Sequence, residues 1–276
     1  MCEAIRTATL IVSVVIDGAQ AIAGFSVGTI VGLTGVGGGS LMTPLLVLLF
    51  GIHPATAVGT DLLHAAISKT GGTYVHASKR RVEWRITLLL ALGSLPAAIA
   101  TLVGLHAVTG GLGSSSQVTT ILGVALILTA IALALRLRVN RLQQLPPQQQ
   151  LAGEPLRPRH PALTIATGVA LGVLVSLSSV GAGALGVTAL LFLYPKLAAQ
   201  RVVASDLAHA VPLTFVAGMG HWMFGSVNWV LLLSLLVGSL PGIYIGSHLS
   251  GFIPERLLRV LLITMLTLIG VKLIMA

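Results

Sequence analysis

Charge is what this sequence has least of. Asp, Glu, Lys and Arg together make up 8% of its 276 residues, against about a quarter in a soluble domain. So few charges cannot build a solvated surface, which excludes an ordinary water-soluble globule. There is one cysteine, Cys2, and hence no disulfide framework within the chain. No histidines or cysteines stand at a metal-ligand spacing of the HExxH or CxxC kind, and there is no P-loop lysine motif. Neither a bound metal nor ATP is indicated, and no cofactor is expected. No serine with a histidine forms a repeated nucleophile motif, so the expected class is not an enzyme. The net charge of +9 would suggest nucleic acid as a partner in a soluble protein. Here the basic residues fall mainly between apolar runs, where membrane topology accounts for them and no nucleic acid is expected.

What is present is apolar sequence: 55% of residues are hydrophobic and the mean hydropathy is +0.99. Runs of about 20 apolar residues, each enough to cross the roughly 30 Å hydrocarbon core of a bilayer, follow one another between Gly, Pro and charged breaks. They read as Ala8 to Thr34, Ser40 to Phe50, Ala55 to Ala77, Ile86 to His106 and Val118 to Leu137. After a gap come Pro161 to Ser178, Gly181 to Tyr194, Val202 to Phe224, Trp229 to Ser250 and Leu257 to Met275. The first is read as a retained helix rather than a signal peptide, for lack of a clear small-residue cleavage site. The gap, residues 138–160, holds Gln143-Gln144-Leu145-Pro146-Pro147-Gln148-Gln149-Gln150 and reads as a flexible cytoplasmic linker. It separates a first membrane repeat, 1–137, from a second, 161–276.

The two halves are copies. Asp61 and His64 recur as Asp206 and His209, 145 residues on (206 − 61), and the same offset relates His76 to His221 and Trp84 to Trp229. It also relates Gly93-Ser94-Leu95-Pro96 to Gly238-Ser239-Leu240-Pro241. Lys79, Arg80, Arg81 and Arg85 crowd one loop, while the equivalent stretch Gly225-Ser226-Val227-Asn228 is uncharged. The positive-inside rule puts these loops on opposite sides of the membrane. The fold expected is therefore an all-α polytopic membrane protein of two inverted repeats, about five segments each, with a short glycine-broken helix in each repeat. All but three of the 16 basic residues (Arg6, Lys69 and Lys272) then fall on the cytoplasmic side.

The polar residues inside the apolar runs are the candidates for function. Gly35-Val36-Gly37-Gly38-Gly39 precedes an eleven-residue run that spans only about 16 Å as a helix. Irregular backbone must complete that crossing, and at such depth it is tolerated only inside protein or beside water. Gly181-Ala182-Gly183-Ala184 is its echo in the second half. The helix starts that follow carry partial positive charge. Thr34, Gly35, Gly37, Gly38, Gly39 and Ser40, with Ser179, Gly181 and Gly183, are therefore expected to bind an anion near the midplane. The alternative is close packing by small residues, which is the expected role of Gly24, Gly28 and Gly32. Asp61, His64 and Ser68 share one helix face. With Asp206 and His209, Asp61 and His64 are expected to couple ions, histidine being a natural proton carrier near neutral pH. The competing roles are a helix cap formed by Thr60-Asp61 or Ser205-Asp206, and a satisfied core histidine at His64. Lys69, whose counterpart is Thr214, either binds the anion or neutralises Asp61. The histidines at run ends, His53, His76, His106, His160, His221 and His248, read as interfacial.

At Gly35-Val36-Gly37-Gly38-Gly39, at His53-Pro54-Ala55-Thr56-Ala57-Val58-Gly59-Thr60 and at Val203-Ala204-Ser205-Asp206 the chain resembles the sulfite exporter TauE/SafE family of membrane transporters. The likeness covers nearly all of the chain outside the linker. It implies export of sulfite or an organosulfonate by a secondary, ion-coupled mechanism, with a multi-pass location in the bacterial inner membrane. The expected partners are a small anionic substrate, the lipid bilayer and, as a possibility, a second copy of the chain in a homodimer. A passive anion channel and a carrier of another small anion, such as a carboxylate, are the alternatives. The charge asymmetry makes a direct prediction. Single cysteines placed at Ser78 and Ser226 should be labelled by an impermeant reagent from opposite sides of the membrane. Labelling of both from one side would refute the inverted arrangement.

Overall fold

The computed structural model describes residues 18–34, 39–109, 116–140, 161–181, 183–195, 197–248 and 255–275. Among them every regular element is an α-helix. The first half holds α1 (Gly18–Thr34), α2 (Gly39–Phe50), α3 (Pro54–Ser78), α4 (Trp84–Thr109) and α5 (Ser116–Asn140). The second holds α6 (Pro161–Ser178), α7 (Ala184–Leu193), α8 (Ala199–Met223), α9 (Trp229–His248) and α10 (Glu255–Met275). Apart from residues 8–17 of the first run, which lie outside the described residues, these are the apolar runs read from the sequence, with small shifts at their ends. Residues 138–140, assigned above to the linker, continue α5; the rest of the linker and Asp17 lie outside the described residues.

Among the described residues, four helical stretches are long and apolar enough to cross a membrane: Trp84–Ala107, Pro161–Ser178, Gln200–Met223 and Trp229–Gly246. α3 has 25 residues, about 37 Å of helix, and is set apart from them by the polar side chains it carries rather than by length.

The halves interlock. α1 packs along α9 and α4 along α6, while α3 lies against α8 and α5 against α10. Glycine makes the first two pairings close. A side chain at Gly24 or Gly28 would collide with the backbone of Leu235 or Ser239, and one at Gly168 or Gly172 with that of Leu90 or Ser94. Gly93 and Gly238 reciprocate, against Ile165 and Ala21. Leu90 and Ser94 are the repeat counterparts of Leu235 and Ser239, so each pairing is a copy of the other. Gly24 and Gly28 are thus packing residues, as their spacing suggests.

The order of contacts gives each helix its direction. Gly24 with Leu235 and Gly28 with Ser239 advance together, so α1 and α9 are parallel; the same holds for α4 and α6. Thr60 with Asn228 and His64 with Ser239 make α3 parallel to α9. Thr87 with Ser205 and Ser94 with His209 make α4 parallel to α8. Gly59 meets His221, Leu63 meets Gly218 and Gly72 meets Leu207, so α3 and α8 are antiparallel and cross near Ser68 and Leu213. Consequently α1 and α3 point one way, and α6 and α8 the other.

Forcing a large side chain into the glycine seams should separate the helices. Gly28→Leu and Gly172→Leu should each lose about 1–3 kcal/mol, the usual penalty for overpacking, read as an earlier thermal loss of monodisperse protein in detergent. An unchanged transition would show that the helices do not approach as described.

Candidate functional site

The antiparallel pair α3 and α8 gathers the ionisable residues of the interior. Asp61, His64, Lys69, Asp206 and His209 are all buried. Ionisable groups at such depth persist only with partners. The partners come from the opposite repeat. His64 Nε2 shares a 2.7 Å hydrogen bond with Ser239 Oγ, and His209 Nε2 shares one of 2.7 Å with Ser94 Oγ. These are the same contact twice, exchanged between halves. The motif Gly-Ser-Leu-Pro supplies both ends of the arrangement: its glycine admits the neighbouring helix closely, and its serine, one residue on, meets the histidine. Ser68, a turn beyond His64, lies 3.4 Å from the same Nε2.

Each aspartate meets a short helix. Thr43, in the first turns of α2, donates to Asp61 Oδ2 from both its N–H, at 3.2 Å, and its hydroxyl, at 2.6 Å. This leaves Oδ1 with His64 Nδ1 at 3.9 Å. Asp206 lies directly against the Cα of Gly186 in the first turn of α7, where any side chain would displace it. A carboxylate near a helix start is favourably placed in the helix dipole. Thr43 of α2 and Gly186 of α7 thus lie beside protein carboxylates. In α7 the Leu185 and Gly186 N–H groups also donate to the Gly181 carbonyl, at 3.1 and 3.3 Å.

The break before α7 is held by backbone in the left-handed region, with φ of 57° at Ser179, 122° at Gly181 and 119° at Gly183. Glycine takes such angles freely; Ser179 does so at a cost in strain. The Ser179 hydroxyl is buried, without a hydrogen bond of ordinary geometry among the described residues, and lies near the Asp61 carboxylate. It is thus directed at the α3 half of the site.

Thr60 and Ser205 do not cap their own helices. Thr60 Oγ1 accepts the Asn228 N–H at the start of α9 at 3.1 Å, and Ser205 Oγ accepts the Glu83 N–H at the start of α4 at 2.8 Å. They tie each following helix to the site. Arg201 pairs with Glu83 at the same end.

Lys69 stands beside the crossing of α3 and α8. Asp61 lies about 10 Å from that point along α3, and Asp206 lies about as far along α8 in the opposite direction. The lysine lies within electrostatic range of both carboxylates. Asp61, the partner offered by the sequence, is thus joined by a second carboxylate from the other half. Both His64 and His209 feel the same charge.

The structure thus lines Asp61, His64, Lys69, Asp206 and His209 along the buried α3–α8 pair, with Ser179 near Asp61. Gly181 and Gly183 shape the adjoining break. Thr34 ends α1, and Gly39 and Ser40 begin α2; Gly35, Gly37 and Gly38 lie outside the described residues. Three site residues escaped sequence reasoning as such. Ser94 and Ser239 sit in a motif recognised only as a repeat, and Thr43 shares the repeat offset with Thr188, a signal that was there to be used. His221, read as interfacial, is instead buried, and its Nε2 donates to the Ser176 carbonyl at 2.9 Å.

The two histidine–serine contacts should be energetically equivalent and independent. Ser94→Ala and Ser239→Ala should each destabilise the folded protein by about 0.6–2 kcal/mol, the range for hydrogen bonds between membrane helices. The double variant should show the sum, measured as thermal stability in detergent. A large effect at one serine and none at the other would mean that the halves are not equivalent here.

Comparison with known proteins places this arrangement. The chain is 39% identical over 252 residues to the probable membrane transporter protein YjnA of Bacillus subtilis (strain 168), covering 91% of this chain and 97% of that protein. It is 27% identical over 243 residues to the probable membrane transporter protein YdhB of the same organism, covering 85% and 91%. A probable membrane transporter protein of Methanocaldococcus jannaschii is 25% identical over 264 residues, covering 90% and 92%. No solved structure matches the chain significantly. The family model for sulfite exporter TauE/SafE matches residues 20–273, nearly the whole length, and the chain belongs to that family of membrane transporters.

Proposed function

We propose that this chain is a secondary transporter that exports a small sulfur-containing oxyanion, sulfite or an organosulfonate, across the bacterial inner membrane. Export is coupled to protons and proceeds by alternating access between two inverted repeats of five crossings each. The observation that carries this reading is Lys69, a buried cation beside the crossing of α3 and α8, with one carboxylate toward each end of the pair. An ammonium at that depth needs a counter-charge at every moment. An oxyanion can take a carboxylate's place at Lys69 if the carboxylate is neutralised by a proton. Substrate and proton are then linked by charge balance alone. His64 and His209, each beside an aspartate in sequence and held by a serine of the other repeat, are placed to relay that proton.

The directions of the helices support the topology. Because α1 and α3 point the same way, the stretch between them, containing α2, has to return across the membrane; α7 does the same between α6 and α8. Counterpart helices α3 and α8 run antiparallel, as inversion requires. The glycine-rich stretch Gly35 to Ser40, with Thr34, and the stretch Ser179 to Gly183 are proposed to face the anion beside Lys69. Their N–H groups and hydroxyls supply hydrogen bonds weak enough to permit release. The sulfur oxyanion is favoured because the family is that of the sulfite exporter.

The test is flux in proteoliposomes. An imposed proton gradient should drive sulfite uphill, whereas a passive channel would only equilibrate it. Lys69→Met should reduce flux to background in protein that remains folded. Lys69→Met with Asp206→Asn restores the charge balance and should not restore transport. Full rescue by that pair would assign Lys69 to neutralising Asp206 and remove it from the substrate site.

A further inference from the structure

α3 and α8 are counterparts, yet they do not end alike. The end of α8 is closed. His221 is buried and held by the Ser176 carbonyl, Gly218 packs against Leu63, and Phe224 stacks on His106 with ring centroids 4.3 Å apart. The corresponding positions on α3 are His76, Thr73 and Lys79. Thr73 Oγ1 and His76 Nδ1 have no hydrogen-bond partner among the described residues, and nor has His221 Nδ1. Thr73 and His76 are themselves partly exposed, whereas their counterparts Gly218 and His221 are buried.

Lys69, Thr73 and His76 stand at i, i+4 and i+7 and therefore share one face of α3. Beyond them the chain folds back, with the Arg81 N–H donating to the His76 carbonyl at 3.1 Å and Arg80 in the left-handed conformation, φ 52°. The second repeat makes the same turn, with Ser226 N–H on the His221 carbonyl at 2.8 Å and Gly225 at φ 74°. The backbone is thus shared, and the difference is chemical. In the first repeat a cation, a hydroxyl and an imidazole lead over about 15 Å of helix to Lys79, Arg80 and Arg81. In the second the same positions are Thr214, Gly218 and His221, ending at uncharged residues. Buried polar groups without protein partners are uncommon and call for an explanation in solvent or ligand. A polar line that ends at a cationic loop lowers the free energy of an anion along its length.

We propose that Thr73 and His76 line the path by which the anion passes between Lys69 and the basic face, and that the structure is open on that face and closed at His221. This rests on the transport reading above and assigns to it a route and a conformational state. The experiment is cysteine accessibility in vesicles, on a background in which Cys2 is replaced by serine. Thr73→Cys, His76→Cys and His221→Cys are each exposed to a membrane-impermeant, negatively charged methanethiosulfonate reagent. Monodisperse elution in detergent confirms that each variant is folded. From the side of the Lys79 loop, Thr73→Cys and His76→Cys should react about tenfold faster than His221→Cys does from the other side, since thiol reactivity follows access. Equal rates at all three, or no reaction at Thr73→Cys and His76→Cys in folded protein, would overturn the proposal. Methanesulfonate, which does not consume the reagent, separates the two readings. Slowed modification supports both path and substrate class. Fast modification unaffected by methanesulfonate supports the path and counts against a sulfur oxyanion as its occupant.

Discussion

The cost of a charge in a medium of low polarity governs this molecule. Asp61, Lys69 and Asp206 are buried among apolar helices, and none is tolerable there alone. Other features of the interior follow from keeping them supplied with partners. Thr43 gives Asp61 two hydrogen bonds, α7 presents its first turn to Asp206, and the serines of α4 and α9 reach across to the histidines. Two carboxylates and one ammonium leave a negative charge to be balanced. In the proposed mechanism cargo and proton exchange against that balance, so the electrostatic constraint on folding and the proposed coupling are the same constraint.

Near-symmetry supplies the frame, and departures from it supply direction. The histidine–serine contacts, the helix-start contacts of Thr60 and Ser205 and the glycine seams all occur twice. Lys69 occurs once, because Thr214 takes its place in the second repeat. The basic loop and the Glu83–Arg201 pair also occur once. A perfectly symmetric carrier would have two equivalent faces. Here single-copy residues distinguish them, at sites where one side chain can change without disturbing the shared backbone, as the matched turns at Arg80 and Gly225 illustrate.

Much of the architecture was legible in the sequence. Hydropathy located the helices, and the repeated Asp-x-x-His and Gly-Ser-Leu-Pro located the interior face, because both signals are local or periodic. Pairing across the halves was not legible. Nothing in Gly24 or Gly28 says that the surface they approach lies more than 200 residues away on α9. For the same reason Thr43 and the two serines passed as ordinary apolar-helix residues, since a hydroxyl gains its meaning from the group opposite. Lys69 could be singled out, but not the second carboxylate within its range, Asp206. A carboxylate on the same helix looks closest in one dimension, while antiparallel packing brings in another from the far half.

The pairing of α1 with α9 has a consequence for how the chain is made. A ribosome adding about 5–20 residues per second delivers Trp229 roughly 10–40 s after Thr34. Throughout that interval the glycine face of α1 has no partner to fill it, and α4 likewise waits, more briefly, for α6. The first half must therefore stay in the bilayer as a set of loosely associated helices, shielded by lipid or by the insertion machinery, until the second half arrives. The α1–α9 and α4–α6 seams can thus close only late, once the second half has arrived.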